Sequence, residues 1–586
     1  MRAKIKIWSV CGLLLLPAAH FYLLEAYTHN GFEEVRPWPQ LFNIILFEFT
    51  AWILMFAFRS VKWALRVQGV LAMGIGLANY YVYTFRSLPL VPWDIFSIGT
   101  AAGVADNYDF TPTFRVAAVV VLFAASWVLA GFCDLDLKKL KVRYSIPVLL
   151  ALAVLLTFFV RTFQKEDFQN RHGMYNKLFT PVYMWQVNGF FLTMVMELPF
   201  MAIEKPEGYR KEDAEKILNA YETSVQADSP EHEKTPDKMP NIIVVMDEAF
   251  SDLGVLGEFT PSEDYMPFFR RMCQEEENTV SGFLNVSVCG GNTANTEFEF
   301  LTGNTMAFLP QGSIPFQQYI HGEIFALPAY LKELGYETHA AHPYFASGWD
   351  RDKVYPLLGF SHMHFLEDYR NREYVRDYVS DQSCVKKIID IYEKKEKGKP
   401  VFIFNVTMQN HGSYSDMHEN FTPHITVSGT QSYSLSSYLS LIQKTDDALA
   451  ELISYFSKEK EPVVVVFFGD HQPNDVVAEP VLNLNGKSYR TLTEKDTYLR
   501  YQVPYFIWTN YKTKTVRHAD TSANYLGTET LNAAGIRLPA YQAFLEELSE
   551  SCPVVSAAVI QQKPKAAADL EEYKKLQYYQ LFDQRE

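Results

Sequence analysis

Residues 462–473 read PVVVVFFGDHQP. The run from Val463 to Phe468 has no polar member, as expected of a strand covered on both faces. Similar runs occur at NIIVVMD (241–247), YETHAAH (336–342), PVFIFNVTM (400–408) and VPYFIWT (503–509). VSGFLNVSV (280–288) alternates as a strand does. Helical patterns lie between them, for example at 265–276, 324–334, 380–396 and 433–457. Strands alternating with helices predict an α/β domain whose mostly parallel sheet is covered by helices on both sides.

What ends these runs carries the chemistry. Asp247 and Glu248 close the first, His342 the second, Asn410 and His411 follow the third, and Asp470 and His471 close the fourth. The carboxyl ends of parallel strands form the ligand crevice of such a sheet, so these side chains are expected to converge. Packing alone does not require Asp-His after VVVVFFG. Glu248, Asp470 and His471 offer two carboxylates and an imidazole, a suitable shell for a divalent cation. CGGNTANTEFEFLTG (289–303) adds a hydroxyl, Thr293, where a strand gives way to a glycine turn and a helix. Taken alone, that is either an activated nucleophile or an ordinary capped helix. With Thr293 as a fourth ligand, a bound cation would favour its alkoxide, which threonine does not reach alone near neutral pH.

The N-terminal part of the 586 residues has another character. Five apolar runs, near Trp8–Ala26, Leu41–Phe58, Val67–Phe85, Val116–Cys133 and Tyr144–Val160, match or approach the roughly 17–25 residues that cross a bilayer. Arg2, Lys4 and Lys6 precede the first run. Arg59, Lys62 and Arg66 fill the second loop, and Lys138, Lys139, Lys141 and Arg143 the fourth, whereas the third carries Asp94, Asp106 and Asp109. Basic loops stay cytoplasmic, which predicts a cytoplasmic N-terminus and an extracellular C-terminal domain. The segment TPVYMWQVNGFFLTMVMELPFMA (180–202) would reverse that placement as a sixth span. Gln186, Asn188, Gly189 and Glu197 interrupt it, so it is expected to be a helix lying in the interface. Glu48, inside the second run, is expected to be a hydrogen-bonded group facing the helix bundle. The formal charge of −15 argues against nucleic acid as a partner. Cys273, Cys289, Cys384 and Cys552 fall in the exported part, where three pairings are open. The expected organisation is a five-helix transmembrane domain (1–162), an interfacial helix with helical stem and Pro-rich linker (163–239), the α/β domain (240–562), and a tail (563–586) read as a helix with a strand-like end.

The segments MDEAFSDLG, GGNTANTEFEFLTG, LPQGS (309–313), HPYFASGWDRD (342–352), VTMQNHGSY (406–414) and FGDHQP (468–473) occur in the order found in lipoteichoic acid synthases. These are polyglycerolphosphate synthases of the sulfatase-like branch of the alkaline phosphatase superfamily. The resemblance, which includes the five-span N-terminus, extends over most of the chain. It implies one Mn²⁺ or Mg²⁺ held by Glu248, Thr293, Asp470 and His471, with Thr293 as nucleophile. It also implies that His342, Trp349, Arg351 and His411 hold glycerol phosphate. The implied reaction takes glycerol phosphate from phosphatidylglycerol through a glycerophospho-threonine, releases diacylglycerol, and delivers to a growing polyglycerolphosphate chain or a glycolipid acceptor at the cell membrane. Two departures touch substrate recognition: Asn292 stands where a basic residue often precedes the threonine, and Tyr344 where some members carry an acid. The alternatives are a phosphoethanolamine transferase of the same superfamily, a sulfatase-fold hydrolase, or a binding protein that keeps the fold. Cys289, followed by GGNT, lacks the Pro and Arg spacing of a sulfatase nucleophile.

Overall fold

A computed structural model describes residues 2–86, 89–97, 110–135, 137, 142–175, 181–198, 203, 205–227, 238–310, 312–489, 491–564 and 566–584. The expectations placed on Lys138, Lys139, Lys141, Asp106, Asp109 and most of the Pro-rich linker lie outside the described residues. The chain divides into two compact units, one spanning Met1–Ile95 and Asp106–Ala202, the other holding Ile203–Glu586.

The first unit contains α1 (Arg2–Glu25), α2 (Pro37–Phe58), α3 (Val61–Arg86), α4 (Phe114–Ala130) and α5 (Val142–Phe163). Four of these are long and apolar enough to cross a membrane, and α4, with 17 residues, is a shorter apolar helix. The expected helix over 180–202 is instead two, α6 (Pro181–Asn188) and α7 (Phe190–Glu197), broken at Gly189. At about 1.5 Å per residue neither approaches the roughly 30 Å of a hydrocarbon core. The break is a built joint. Gly189 has φ +80°, and a Cβ there would meet the Asn43 amide nitrogen at 2.7 Å. Asn43 donates to the Asn188 carbonyl (2.7 Å) and accepts from the Leu192 amide (2.9 Å), while the Phe190 amide donates to Glu25 Oε1 (2.7 Å). Polar side chains from elsewhere in the unit, Asn43 and Glu25, thus satisfy backbone groups freed where the helix breaks. Glu48 is half-buried and hydrogen-bonded, as expected, accepting the Trp52 indole N–H of its own helix at 3.3 Å.

The second unit is built on an eight-stranded sheet. Its strands are β1 (Asn241–Asp247), β2 (Thr279–Asn285), β3 (Glu337–Ala341), β4 (His362–His364), β5 (Val401–Val406), β6 (Val463–Gly469), β7 (Gln502–Thr509) and β8 (Thr521–Ser522), in spatial order β8-β2-β7-β6-β1-β5-β3-β4. All pairings are parallel except those of β7, which runs against both β6 and β2. The central β1 is buried throughout: Ile243 and Val245 enter one apolar layer, and Ile242, Val244 and Met246 the other. This two-sided burial is why the central strands read as unbroken apolar runs. The tail is not strand-like. Ala567–Tyr578 is α-helical and continues into one π turn, with Tyr573, Leu576 and Leu581 fully buried. All six cysteines are free thiols.

Candidate active site

β1 and β6 lie side by side in register, Asp247 opposite Gly469, so Glu248 and Asp470 emerge together at the carboxyl end of the sheet. Gly469 is required by proximity, since a Cβ there would lie 1.9 Å from the Phe250 carbonyl oxygen. Asp470 Oδ1 accepts from the amides of Ala249 and His471, each at 2.7 Å. Its Oδ2 has no hydrogen-bond donor, nor does His471 Nε2 have a partner, although the two are 3.2 Å apart. Glu248 Oε1 lies 3.6 Å from the same imidazole nitrogen. Among the described residues, Glu248, Asp470 and His471 form the one group of such side chains whose ligand atoms all lie within 4.8 Å of one another.

Thr293 begins the helix Thr293–Thr302, directly after Gly290 (φ +75°), Gly291 (φ +156°) and Asn292 (φ +66°). Its hydroxyl donates to Glu248 Oε2 at 3.3 Å. Two bonds tie this segment to the end of β6: the Gly290 amide to the Gln472 carbonyl (3.0 Å) and the Thr296 hydroxyl to the Asp470 carbonyl (2.8 Å). All four predicted ligand residues are at most 6% exposed. Burial, and then mutual repulsion with Asp470, hold the Glu248 carboxyl well above its ordinary range, and burial raises Asp470. Two carboxylates brought together out of water lack a compensating charge. The unmet Asp470 Oδ2 and His471 Nε2 fit a divalent cation at this point, in donor type and in electrostatics.

The residues expected on the substrate side cluster next to this group. His342 Nδ1 donates to the Val406 carbonyl (3.1 Å), leaving Nε2 to accept from Arg351 Nη1 (3.2 Å). Burial, then the Arg351 charge, keep this imidazole neutral by pushing its pKa well below the usual value. Burial also lowers His411, to about 4, and its Nδ1 sits 2.8 Å from the Gly412 carbonyl and 3.0 Å from the Tyr378 hydroxyl. Trp349 is half-buried in left-handed backbone (φ 57°) and packs against the apolar layer on the Thr293 side of the sheet, so packing accounts for part of it.

Glu297, Tyr355, Thr407 and Arg376, which position this arrangement, were not anticipated from sequence, whereas Asp247 and Asn410 were expected at these strand ends. Glu297 is fully buried one helical turn after Thr293 and accepts from Arg351 Nη2 (2.5 Å), Arg351 Nε (3.1 Å) and the Tyr355 hydroxyl (2.6 Å). Burial opposes the Arg351 charge, but Glu297 more than offsets it and holds the guanidinium protonated. Beneath the metal-type cluster, the Thr407 hydroxyl accepts from the Glu248 amide and donates to Asp247 Oδ2, both at 3.0 Å. Asn410 donates to Asp247 Oδ1 at 2.9 Å. Arg376 braces the His411 loop through the carbonyls of Gln409, His411 and Ser413. A carboxylate four residues after a proposed nucleophile was the one available signal for Glu297.

The sequence model of the sulfatase family matches residues 240–536, half of the chain. The "Putative cyclic beta-1,2-glucan modification protein" of Rhizobium meliloti (strain 1021) is 28% identical over 534 residues, covering 86% of this chain and 79% of its own. Lipoteichoic acid synthase 1 of Bacillus subtilis (strain 168) is 22% identical over 345 residues, 57% of this chain and 52% of its own. Among solved structures, Streptococcus pyogenes phosphoglycerol transferase GacH in complex with sn-glycerol-1-phosphate shares the fold at 23% identity and a TM-score of 0.53, covering 65% of this chain and 95% of that one.

Proposed function

The chain belongs to the sulfatase family, and on that premise we propose that it is a membrane-anchored phosphoglycerol transferase with Thr293 as its nucleophile. The observation that carries this reading is the Thr293 hydroxyl, 3.3 Å from Glu248 Oε2 and bonded into the same buried cluster as Asp470 and His471. Glu248, Thr293, Asp470 and His471 would hold one Mn²⁺ or Mg²⁺. Such an ion, when bound, favours the threonine alkoxide and offsets charge on the phosphate oxygens.

Thr293 Oγ1 attacks the phosphorus of phosphatidylglycerol. The bond from phosphorus to the diacylglycerol oxygen breaks, that oxygen takes up a proton, and glycerophosphate remains on Thr293. An acceptor hydroxyl then attacks the same phosphorus, gives up its proton and frees the threonine. Arg351 Nη1 and His342 orient the glycerophosphate, with Trp349 beside them. His411, its pKa lowered to about 4 and so neutral at physiological pH, is suited to hydrogen-bond a phosphate oxygen or the incoming hydroxyl. A glycan or glycolipid acceptor is favoured by the glucan-modification relative, which matches more of the chain than the lipoteichoic acid synthase does. The distribution of basic residues supports a cytoplasmic N-terminus and an extracellular catalytic domain.

The test is purified full-length protein with Mn²⁺ and labelled phosphatidylglycerol. Diacylglycerol release is expected, with loss of release in Thr293→Ala. Turnover of phosphatidylethanolamine in its place would shift the reading to phosphoethanolamine transfer. Turnover of neither lipid with any divalent ion would overturn it.

A further inference from the structure

The helix that opens with Thr293 carries Glu297 on the same face, one turn on. Glu297 takes two nitrogens of Arg351, Nε and Nη2, and its second oxygen accepts from Tyr355. Only Nη1 of the guanidinium is left facing away from this carboxylate, toward His342 Nε2 and the Gly348 carbonyl (3.4 Å). The pair is 3% and 0% exposed on its side chains, so water screens little of it. An arginine that binds phosphate through two donors commonly presents them as a fork. Here the fork is already occupied from within the protein.

The charges around Thr293 make this consequential. Glu248, Asp470 and Glu297 are buried carboxylates, and Arg351 is the cation bonded directly to a residue of the proposed substrate side. Two further arginines are buried as well: Arg376 gives its Nη bonds to backbone carbonyls of the His411 loop, and Arg500 bonds Gln472, the Pro473 carbonyl and Asp475. The protein thus supplies no uncompensated side-chain cation for a phosphate at Arg351. We propose that Glu297 is a specificity-determining residue: by neutralising Arg351 it fits the site to a singly charged phosphodiester and against a doubly charged phosphomonoester. The inference rests on the phosphoryl-transfer reading above and adds the charge class of its substrate.

The experiment uses the full chain with Mn²⁺ at pH 8 and two chromogenic esters, bis(p-nitrophenyl) phosphate and p-nitrophenyl phosphate. The wild type is expected to favour the diester in kcat/KM by at least about tenfold, and Glu297→Gln to move that ratio toward the monoester by on the order of tenfold. Tyr355→Phe removes a hydrogen bond to Glu297 but no charge, and should leave the ratio within about twofold. A separate arm needs no turnover. With the metal removed by chelation, inorganic phosphate should raise the melting temperature of Glu297→Gln and not that of the wild type. A wild type that prefers the monoester, a Glu297→Gln ratio unchanged while both rates fall, or a Tyr355→Phe ratio that shifts as far as Glu297→Gln would each overturn the proposal. Should Glu297→Gln fail to fold, a wild-type ratio that favours the monoester still overturns the proposal. If the wild type turns over neither aryl ester nor phosphatidylglycerol, the transferase reading fails and the phosphate-binding arm alone judges this one.

Discussion

Asp446 and Asp470 are both buried in the second unit, at 2% and 0% exposure, and their oxygens are used in opposite ways. Asp446, on the helix Tyr433–Phe456, reaches the start of the helix Pro267–Gln274. There Oδ1 accepts from the Phe269 amide (2.7 Å) and Oδ2 from the Phe268 amide (2.8 Å). It supplies the cap that Met266 does not, and both of its oxygens are engaged. Asp470 engages one oxygen with two amides and leaves the other without a donor, beside an imidazole nitrogen in the same condition. Glu299 and Asp381 also leave one buried oxygen without a donor, so an unmet oxygen alone marks nothing. What sets Asp470 apart is that its free oxygen stands with His471 Nε2 and a second carboxylate, Glu248.

The comparison breaks most readily at Asp470. Asp470→Asn should lower turnover by more than the ~10–100-fold typical of losing a residue that supports a ligand. It should also hold or raise the melting temperature of the metal-free protein, because it removes repulsion in a strained site. A fall of several degrees without metal, with turnover retained, would place Asp470 beside Asp446 as a structural residue. Thr407→Val leaves all the proposed ligands in place and removes the hydroxyl between Asp247 and the Glu248 amide. It should weaken Mn²⁺ by ~10–100-fold in a titration of activity against metal.

The smallest effect is expected at Asp446 itself, where Asp446→Asn should leave turnover unchanged. Burial raises its pKa from 3.8 to about 6, with the two amide bonds opposing. The folded state therefore holds the proton more tightly than the unfolded chain. The associated stability is fully present below about pH 4 and is lost as pH rises through 6, a change of at most about 3 kcal/mol. Denaturant midpoints between pH 4 and 6 should fall for the wild type and stay flatter for Asp446→Asn. Equal slopes would show that the cap does not titrate in this window.

The strand ends were legible in the sequence because burial on both faces leaves no polar residue inside β1 or β6 and only Asn405 inside β5, so the first polar residues after them stand out. Thr293 was legible for a related reason: glycine, glycine and asparagine before a helix announce backbone that other residues resist. Glu297 was not, because its partner Arg351 lies 54 positions away and an acid within TANTEFEFLT looks like an ordinary solvated face. Thr407 was hidden similarly, since its bond to Asp247 closes a separation of 160 residues. In the first unit, hydropathy located the long helices. It could not divide 180–202, because the break at Gly189 is made by Asn43 and Glu25 from elsewhere in the chain. The tail misled by composition: tyrosines that suggested a strand are anchors, with the Tyr573 hydroxyl bonded to the Gly303 carbonyl at 2.7 Å.

The bonds from Gly290 to Gln472 and from Thr296 to Asp470 set apart what the molecule can vary from what it cannot. They fasten the proposed nucleophile to the same strand that supplies two of the proposed ligands, so its alignment is inherited from the centre of the sheet. The loop bearing His411 hangs from a neighbouring strand and is braced by Arg376 through its own carbonyls. Arg351, by contrast, is tied back to the Thr293 helix through Glu297. Such a molecule can exchange its customers while keeping its tool: a lineage could remodel the segment after His411 for a new acceptor, whereas a change at Arg351 would be felt at Thr293.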